Sequence, residues 1–361
     1  MKISIGSNII KGSWGGGNQF AISLFDYLKK KNWEVTTNLK DRNIDIILMT
    51  EPRRTSQTSS YNQVQISKYL IKKPDTVVVH RINECDERKN TKDLNKYLIR
   101  ANKVADYTIF ISNFLENLFT SKGFFHNKDY GVIRNGADNR IFNRRGKKKW
   151  DGKSPVKVVT HHWGANYNKG FDIYKKLDSM DSISGRKIEF SYIGRIPNNF
   201  KFINCKVIAP LSGNELSEEL KSNHIYVTGS INEPAGMHHI EGAMCGLPLL
   251  FRNSGALPEY CKDFGVMFNG LEDFEEKFVK LVENYEYFFN RLDKYPYDSN
   301  FMCQKYEEIF LRLLQKRKRF NLAKRRIKYL VIFIKETGLF IIDEILVKFR
   351  KALKKYSGLK S

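Results

Sequence analysis

Cysteine is scarce in this chain, and its distribution argues against a disulfide scaffold or a zinc ribbon. The 361 residues include five cysteines, which are odd in number, widely scattered and without a Cys-x-x-Cys pair. Disulfide frameworks and structural zinc sites need paired cysteines at close spacing. The sequence therefore favours a reducing, cytosolic compartment.

Long apolar runs are also absent. No run approaches the roughly 20 residues that span a bilayer, and the longest one near the C-terminus, residues 329–334, ends at Lys335. Residues 1–8 lack the apolar segment of a signal peptide. We therefore expect a cytoplasmic protein without a membrane span.

Acidic side chains are too few to balance the basic ones. The chain has 39 Asp and Glu against 62 Lys and Arg, a formal net charge of +23. Residues 316–361 alone hold 15 basic and three acidic side chains. A basic tail on a moderately basic body indicates an anionic partner, which could be phosphate, nucleic acid or a membrane surface.

Short β-branched runs alternate with helical patterns along most of the chain. Buried strands are predicted at residues 3–7, 44–49, 76–79, 107–111, 156–160, 188–193, 224–228 and 247–251. This alternation predicts two α/β units with parallel sheets, joined by a basic, breaker-rich linker. Open parallel sheets bind ligands at the carboxyl ends of their strands, so we expect a ligand between the two units.

Two of the loops that follow strands in the first unit are candidates for a ligand site. Gly15, Gly16 and Gly17 precede a helix, where bare backbone approaches a ligand closely and free N–H groups attract an anion. A flexible turn is the other interpretation of this loop. His80 follows the strand predicted at 76–79 and is either a ligand-facing or a hydrogen-bonded structural histidine.

The second unit has a candidate cation in the loop that follows its first strand. Lys169 precedes Gly170 at the start of a helix, where an ammonium suits a diphosphate, although a solvated surface lysine is the alternative. His161 and His162 are neighbours in an extended segment, so their side chains point apart, and we do not expect a zinc site.

Two glutamates in the second unit form the most informative pattern. Glu233 lies in a loop with Pro234 and Gly236, and Glu241 lies on the helix that begins near His238. Carboxylates are good acceptors for sugar and ribose hydroxyls, and the helix N-terminus favours phosphate. The pair can therefore hold different parts of one nucleotide ligand.

The complete pattern resembles a known family. Glu-x7-Glu, then Gly-x-Pro and then Gly-x-x-Pro-Glu are similar to the family 4 glycosyltransferases, which are retaining enzymes of the GT-B fold. The resemblance covers most of residues 1–315, is strongest over 231–260 and is supported by residues 132–142. It implies a nucleotide-diphosphate sugar bound mostly to the second domain and an acceptor bound mostly to the first.

The resemblance also implies roles for individual residues of the second domain. Glu233 would contact the hydroxyls of the donor sugar, and Glu241 the ribose. Lys169 would neutralise the diphosphate leaving group, with the backbone at Ala256 and Leu257 near the phosphates. Catalytic roles would thus fall to Glu233, Lys169 and, from the first domain, His80, and donor binding to Glu241, Ala256 and Leu257.

The first domain supplies the remaining roles that the resemblance implies. Gly15 and Gly16 would approach the diphosphate from across the crevice, and His80 would lie beside the reacting carbon. One departure concerns the second phosphate-binding cation, because Trp163-Gly164 stands where the family commonly has Gly-Arg. We expect Arg195, at the end of the next strand, to replace it.

With this resemblance, the predicted fold is α/β of the GT-B type, two Rossmann-like domains facing a cleft plus a basic helical tail. The predicted parts are an acceptor-side domain at 1–145, a linker at 146–155, a donor-binding domain at 156–300, a closing helix at 301–315 and the tail at 316–361. No metal or other cofactor is expected, because no Asp-x-Asp stands where a metal-dependent transferase needs one.

The predicted partners are a nucleotide-sugar donor, a glycan or lipid-linked acceptor and, through residues 316–361, an anionic membrane surface. In the tail, basic residues flank apolar segments, which suits an interfacial helix. Packing of the tail onto the body, or binding of nucleic acid, are the alternatives for this segment.

Two other functions are compatible with parts of the pattern. A GT-B sugar-nucleotide epimerase would share the donor site but need no acceptor. A nucleic-acid-binding protein would use the basic charge, but the body lacks a basic motif interleaved with aromatics, so no nucleic acid is expected. We therefore predict a glycosyltransferase of the hexosyltransferase type.

Overall fold

The computed structural model describes residues 1–10, 12, 15–121 and 129–357, and of residues 343, 344 and 346–357 it describes only the backbone. Ser13 and Trp14 of the glycine loop and residues 358–361 of the predicted tail lie outside the described residues. The described chain forms two parallel sheets with helices on their faces, which confirms the predicted α/β architecture.

The first sheet has six parallel strands in the order β2-β1-β3-β4-β5-β6. Nearly every residue of its inner strands is buried, as expected of a sheet covered on both faces. The strands are β1 (Lys2–Ile5), β2 (Glu34–Thr36), β3 (Ile46–Met49), β4 (Val77–Ile82), β5 (Tyr107–Phe110) and β6 (Asp129–Val132). The helices are α1 (Gly16–Lys30), α2 (Gln63–Lys72), α3 (Asp86–Lys89), α4 (Leu94–Asn102) and α5 (Asn113–Thr120).

The second sheet has six parallel strands in the order β10-β9-β7-β11-β12-β13, with β8 antiparallel to β9. The strands are β7 (Val156–His162), β8 (Ser182–Ile183), β9 (Arg186–Gly194), β10 (Lys206–Ile208), β11 (Ile225–Thr228), β12 (Leu249–Arg252) and β13 (Gly265–Phe268). The helices are α6 (Phe171–Asp178), α7 (Gly213–Lys221), α8 (Met237–Met244), α9 (Leu257–Cys261), α10 (Leu271–Glu283) and α11 (Tyr285–Arg291).

The next helix, α12 (Ser299–Arg317), returns to the first unit and packs against α1. Asp298 caps it by accepting hydrogen bonds from the backbone N–H groups of its first turn. Glu307 then accepts hydrogen bonds from Tyr27 Oη at 3.0 Å and Trp33 Nε1 at 3.1 Å. These hydrogen bonds anchor α12 to the first unit.

The last helix, α13 (Leu322–Ser357), contains most of the predicted basic tail and packs along α2. Tyr329 is fully buried in that contact, and Arg325 donates hydrogen bonds to Asp106 and to the Pro74 carbonyl oxygen. Packing on the body therefore accounts for one face of the tail. Among the described residues, no helix is both long enough and apolar enough to cross a bilayer.

Candidate functional site

A cleft of about 720 Å³ lies between the two units, at the carboxyl ends of their strands. Segments that follow β1 and β4 line it from the first unit, and segments that follow β7, β9 and β11 line it from the second. The structure brings five of the predicted site residues to this cleft, namely Gly15, Gly16, Lys169, Glu233 and Glu241.

The loop that carries Glu233 is braced on both sides. Ala235 adopts a φ of 144°, which an L side chain rarely takes, and its carbonyl oxygen accepts a hydrogen bond from Asn135 Nδ2 at 2.8 Å. Gly255, at φ 61°, packs so closely that a Cβ atom there would lie 2.4 Å from the Glu233 backbone nitrogen. Strain of this kind persists only where the surroundings enforce it, so the Glu233 backbone is held in place.

The Glu233 carboxylate lies between two cations that belong to different domains. Its Oε2 atom is 2.9 Å from Lys169 Nζ of the second unit and 3.7 Å from Arg88 Nε of the first. Burial alone would raise the pKa of this carboxyl, but Lys169 and Arg88 together bring it well below its usual range. Glu233 is therefore ionised, and both cations face one anionic position.

Lys169 is itself buried and lies at the end of a short 3₁₀ turn, directly before α6. Burial lowers the pKa of its ammonium, while the Glu233 carboxylate acts in the opposite direction. A buried ammonium at the edge of a cleft binds an anion more strongly than a solvated one, because water screens it less. The alternative of a solvated surface lysine is excluded by this burial.

Glu241 lies one turn inside α8 and is held by a histidine of β7. His161 Nε2 and Glu241 Oε2 are 2.7 Å apart, and the other ring nitrogen of His161 is 3.1 Å from Tyr226 Oη. His161 and Glu241 both line the cleft. The carboxylate is thus oriented by hydrogen bonds and keeps acceptor capacity for a ligand hydroxyl.

The glycine loop brings the first unit close to the second. Gly15 caps α1, and Gly16 is so near α8 that a Cβ atom there would lie 2.6 Å from Met237 Cγ. The N-termini of α1 and α8 therefore meet at the cleft, where their free N–H groups favour an anion.

His80 lies outside the cleft, which corrects the predicted position beside the reacting carbon. Strand β4 continues to Ile82, so His80 lies within the strand rather than after it. Its ring is buried with Nδ1 3.0 Å from Asn102 Nδ2. Because side chains alternate along a strand, it is the next residue, Arg81, that lines the cleft.

Three other predicted donor-binding residues do not line the cleft, namely Arg195, Ala256 and Leu257. Arg195 is exposed and stacks on the Trp163 ring, with its guanidinium carbon 4.4 Å from the ring centroid. Ala256 and Leu257 are fully buried, and the Ala256 backbone N–H donates to the Glu233 carbonyl oxygen at 2.7 Å. These two residues support the Glu233 loop from behind.

Arg81, Arg88 and His161 are among the cleft residues to which the sequence assigned no role in binding or catalysis. Arg81 is buried, stacks over the Phe20 ring at 3.8 Å and donates a hydrogen bond to Asn135 Oδ1 at 2.9 Å. Arg88 belongs to the polar segment that follows β4, and that position was its only signal. In the part of the chain that the structure describes, no group of three or more His, Cys, Asp or Glu side chains could hold a metal ion.

Glu259 of the Gly-x-x-Pro-Glu segment connects the two domains. Its carboxylate accepts hydrogen bonds from the backbone N–H groups of Asn113 at 2.9 Å and Phe114 at 2.7 Å, at the start of α5. The next residue, Tyr260, donates its hydroxyl to the Ile111 carbonyl oxygen at 2.8 Å. This segment therefore fixes the relative position of the domains below the cleft.

Comparison with known proteins identifies similarity to glycosyltransferases. Residues 199–295 match the family model described as glycosyl transferases group 1. A search of curated proteins found no match. The family match confirms the resemblance to glycosyltransferases that the sequence predicts.

Solved structures of glycosyltransferases share the fold at low sequence identity. Sucrose-phosphate synthase from Thermosynechococcus elongatus has a TM-score of 0.61 at 12% identity, covering 87% of this chain and 98% of that one. A glycosyltransferase from Rickettsia africae has a TM-score of 0.57 at 13% identity, covering 87% and 98%. An α-glucosyltransferase in complex with UDP and DNA has a TM-score of 0.58 at 15% identity, covering 86% and 99%. These similarities confirm the GT-B fold.

Proposed function

We propose that this chain, a glycosyltransferase with a group 1 domain at residues 199–295, moves a hexose-type sugar from a nucleotide-diphosphate donor to a glycan or lipid-linked acceptor. The reaction would retain the anomeric configuration and serve the synthesis of a polysaccharide or glycoconjugate. The observation that carries the proposal is the convergence of Glu233, Glu241 and Lys169 on one interdomain cleft.

The donor is proposed to lie along the second domain. The diphosphate would contact Lys169 and Arg88, the two cations that now face Glu233, with the N-termini of α1 and α8 beside it. Glu233 would then accept hydrogen bonds from the sugar hydroxyls and Glu241 from the ribose. Arg88 thereby replaces Arg195 as our candidate for the second phosphate-binding cation.

The proposed step exchanges one bond for another at the anomeric carbon. The bond from this carbon to the diphosphate oxygen breaks, and a bond to the acceptor oxygen forms on the same face of the sugar. The acceptor proton passes to the leaving phosphate oxygen. Lys169 and Arg88 would stabilise the charge that develops on the diphosphate, so we expect turnover to persist after chelation of divalent metals.

The first experiment is a thermal-shift screen of the full chain against UDP-, GDP- and ADP-sugars, because a bound ligand raises the apparent stability by mass action. UDP is the first nucleotide to test, since a structural neighbour holds it. Product analysis by NMR then gives the anomeric configuration. A stabilising donor that yields an inverted product would contradict the retaining part of the proposal.

Two controls separate this function from its alternatives. Incubation with the donor alone would interconvert it only if the chain were an epimerase. Addition of nucleic acid as a competitor tests the expectation that it is not a partner. The proposed location is the cytoplasm, with peripheral association at the cytosolic face of a membrane through residues 316–361.

A further inference from the structure

The body covers one face of helix α13 and leaves apolar side chains exposed on the opposite face. The covered face includes Tyr329 and Glu336, which are 0% and 1% exposed. On the opposite side Ile327 is 65% exposed, Val331 59% and Ile334 62%. This outward face consists of Ile327, Leu330, Val331, Ile334, Ile341, Ile342 and Ile345.

The outward face follows helical periodicity and extends over about 27 Å at 1.5 Å per residue. Large apolar side chains recur every three or four residues from 327 to 334 and again from 341 to 345, on the same side of the helix and on either side of Gly338. An exposed stripe of this length on a protein surface indicates an interaction site rather than ordinary surface variation.

Over residues 322–342, where the side chains of this helix are described, its exposed charged side chains are basic. Between residues 322 and 342 the only acidic residue is Glu336, which is buried and bound by Gln63 Nε2 at 3.0 Å and Arg100 Nε at 3.1 Å. The exposed charged residues of the same segment are Lys324, Arg326, Lys328 and Lys335. Residues 322–342 therefore offer apolar and basic groups to a partner, and Asp343 and Glu344 follow them in the sequence.

We propose that the outward face of α13 binds an anionic phospholipid surface, with the helix lying parallel to the bilayer. A bilayer interface accepts apolar side chains and attracts the flanking lysines. A nucleic acid would engage the basic side chains but leave the isoleucines in water. A second copy in a symmetric dimer would bring each basic flank against itself.

Helix α13 also contacts, on its covered side, a loop that borders the cleft in the first domain. The Arg54 guanidinium lies over the Phe340 ring of α13, with its carbon 5.1 Å from the ring centroid. Arg53 and Ser56, in the same loop, line the cleft. The inference, which rests on the proposed function at this point, is that a lipid-linked acceptor enters the cleft directly from the bilayer surface.

The test is co-sedimentation of the full chain with vesicles of phosphatidylcholine alone or mixed with phosphatidylglycerol. The variant carries Ile327→Ser, Val331→Ser and Ile334→Ser together. The control variant is Ile203→Ser, which removes an even more exposed isoleucine, at 87%, from the second domain. We expect partitioning onto the anionic vesicles to fall at least about tenfold in the triple variant and to stay unchanged in the control.

Two further measurements make the outcomes decisive. Equal partitioning of wild type and triple variant would overturn the proposal, as would a dimer that is lost in the triple variant by light scattering. Binding of a nucleoside diphosphate is measured on the same samples, where the triple variant should match wild type. Vesicle binding without nucleotide binding would contradict the proposed function and leave the membrane surface supported.

Discussion

At the scale of single residues, Glu233 holds the most constrained position in the cleft. It is 2% exposed, its backbone is braced by Ala235 and Gly255, and its carboxylate contacts Lys169 of its own domain and Arg88 of the other. The cleft therefore has the charge arrangement that a diphosphate and a sugar hydroxyl require. Both cations and the carboxylate can be tested separately.

Replacement Glu233→Gln keeps the shape of the side chain but removes its charge. We expect transfer to fall at least about 100-fold, equivalent to about 3 kcal/mol, while nucleoside-diphosphate binding is retained because both cations remain. Stability should fall by about 2 kcal/mol, since the buried Lys169 and the partly buried Arg88 lose their partner. Turnover assays, calorimetric titration and denaturant unfolding measure these effects. Near-normal turnover would remove Glu233 from the mechanism.

Arg88 and Arg195 form a matched pair for the phosphate-binding role. Arg88→Ala should weaken donor affinity by about 10- to 100-fold, because a charge-assisted hydrogen bond contributes about 1.5–3 kcal/mol. Arg195→Ala should leave affinity unchanged, since this side chain is exposed, is held on the Trp163 ring and does not itself line the cleft. Donor titrations compare the two variants. The reverse order of effects would restore Arg195 as the second cation.

At the scale of elements, the sequence predicted the inner strands and missed the edges. Strands β2, β6, β10 and β13, which were not identified, form both edges of both sheets. Edge strands have exposed positions that interrupt an apolar run, as in β10, where Lys206 and Val207 are exposed. Periodicity detects a fully buried strand much better than a half-covered one.

The site residues that were predicted are those that belong to local sequence motifs. Glu233, Glu241 and Lys169 belong to local motifs, whose spacing is visible in the sequence. Arg88 acts across the cleft, so only the packing of the two domains places it beside Glu233. His80 was misplaced because β4 continues three residues beyond the predicted strand end, so the residue presented to the cleft is its neighbour.

Glu259 allows a test at the scale of one helix end. Its replacement by Ala removes the acceptor for two backbone N–H groups at the start of α5, which should lower the free energy of unfolding by about 1–2 kcal/mol. Glu218→Ala, which removes one partner of an exposed ion pair on α7, should change it by less than about 0.5 kcal/mol. Urea unfolding of both variants decides the point, and equal losses would refute the interdomain cap.

At the scale of the whole molecule, the chain passes from the first domain to the second and back. Helices α12 and α13 both pack on the first domain, against α1 and α2 respectively. The Glu259 contact joins the domains below the cleft, while Glu233 and Arg88 join them within it. Donor binding should therefore change the stability of the whole chain and not that of one domain alone.

Acid sensitivity is the whole-molecule property that the structure predicts most directly. His162, His238 and His239 are buried, and burial lowers the pKa of each ring, that of His239 to about 3. In the unfolded chain these rings titrate near about 6.5. Below that pH the unfolded state binds protons that the folded state does not, so stability must fall as the pH decreases.

His239→Leu isolates one of these contributions. Neither ring nitrogen of His239 has a hydrogen-bond partner among the described residues, so leucine should cost little at pH 7.5. Each buried neutral histidine contributes up to about 1.4 kcal/mol per pH unit below its unfolded pKa. The loss of stability between pH 6.5 and 5 should therefore be smaller in the variant by about 2 kcal/mol.

Protonation of Glu233 does not affect this comparison, because a carboxyl with a lowered pKa loses its contribution to stability only near and below its unfolded pKa of about 4.5. Urea unfolding of both proteins at pH 7.5, 6.5 and 5 gives the two slopes, and identical slopes would mean that His239 is protonated in the folded protein.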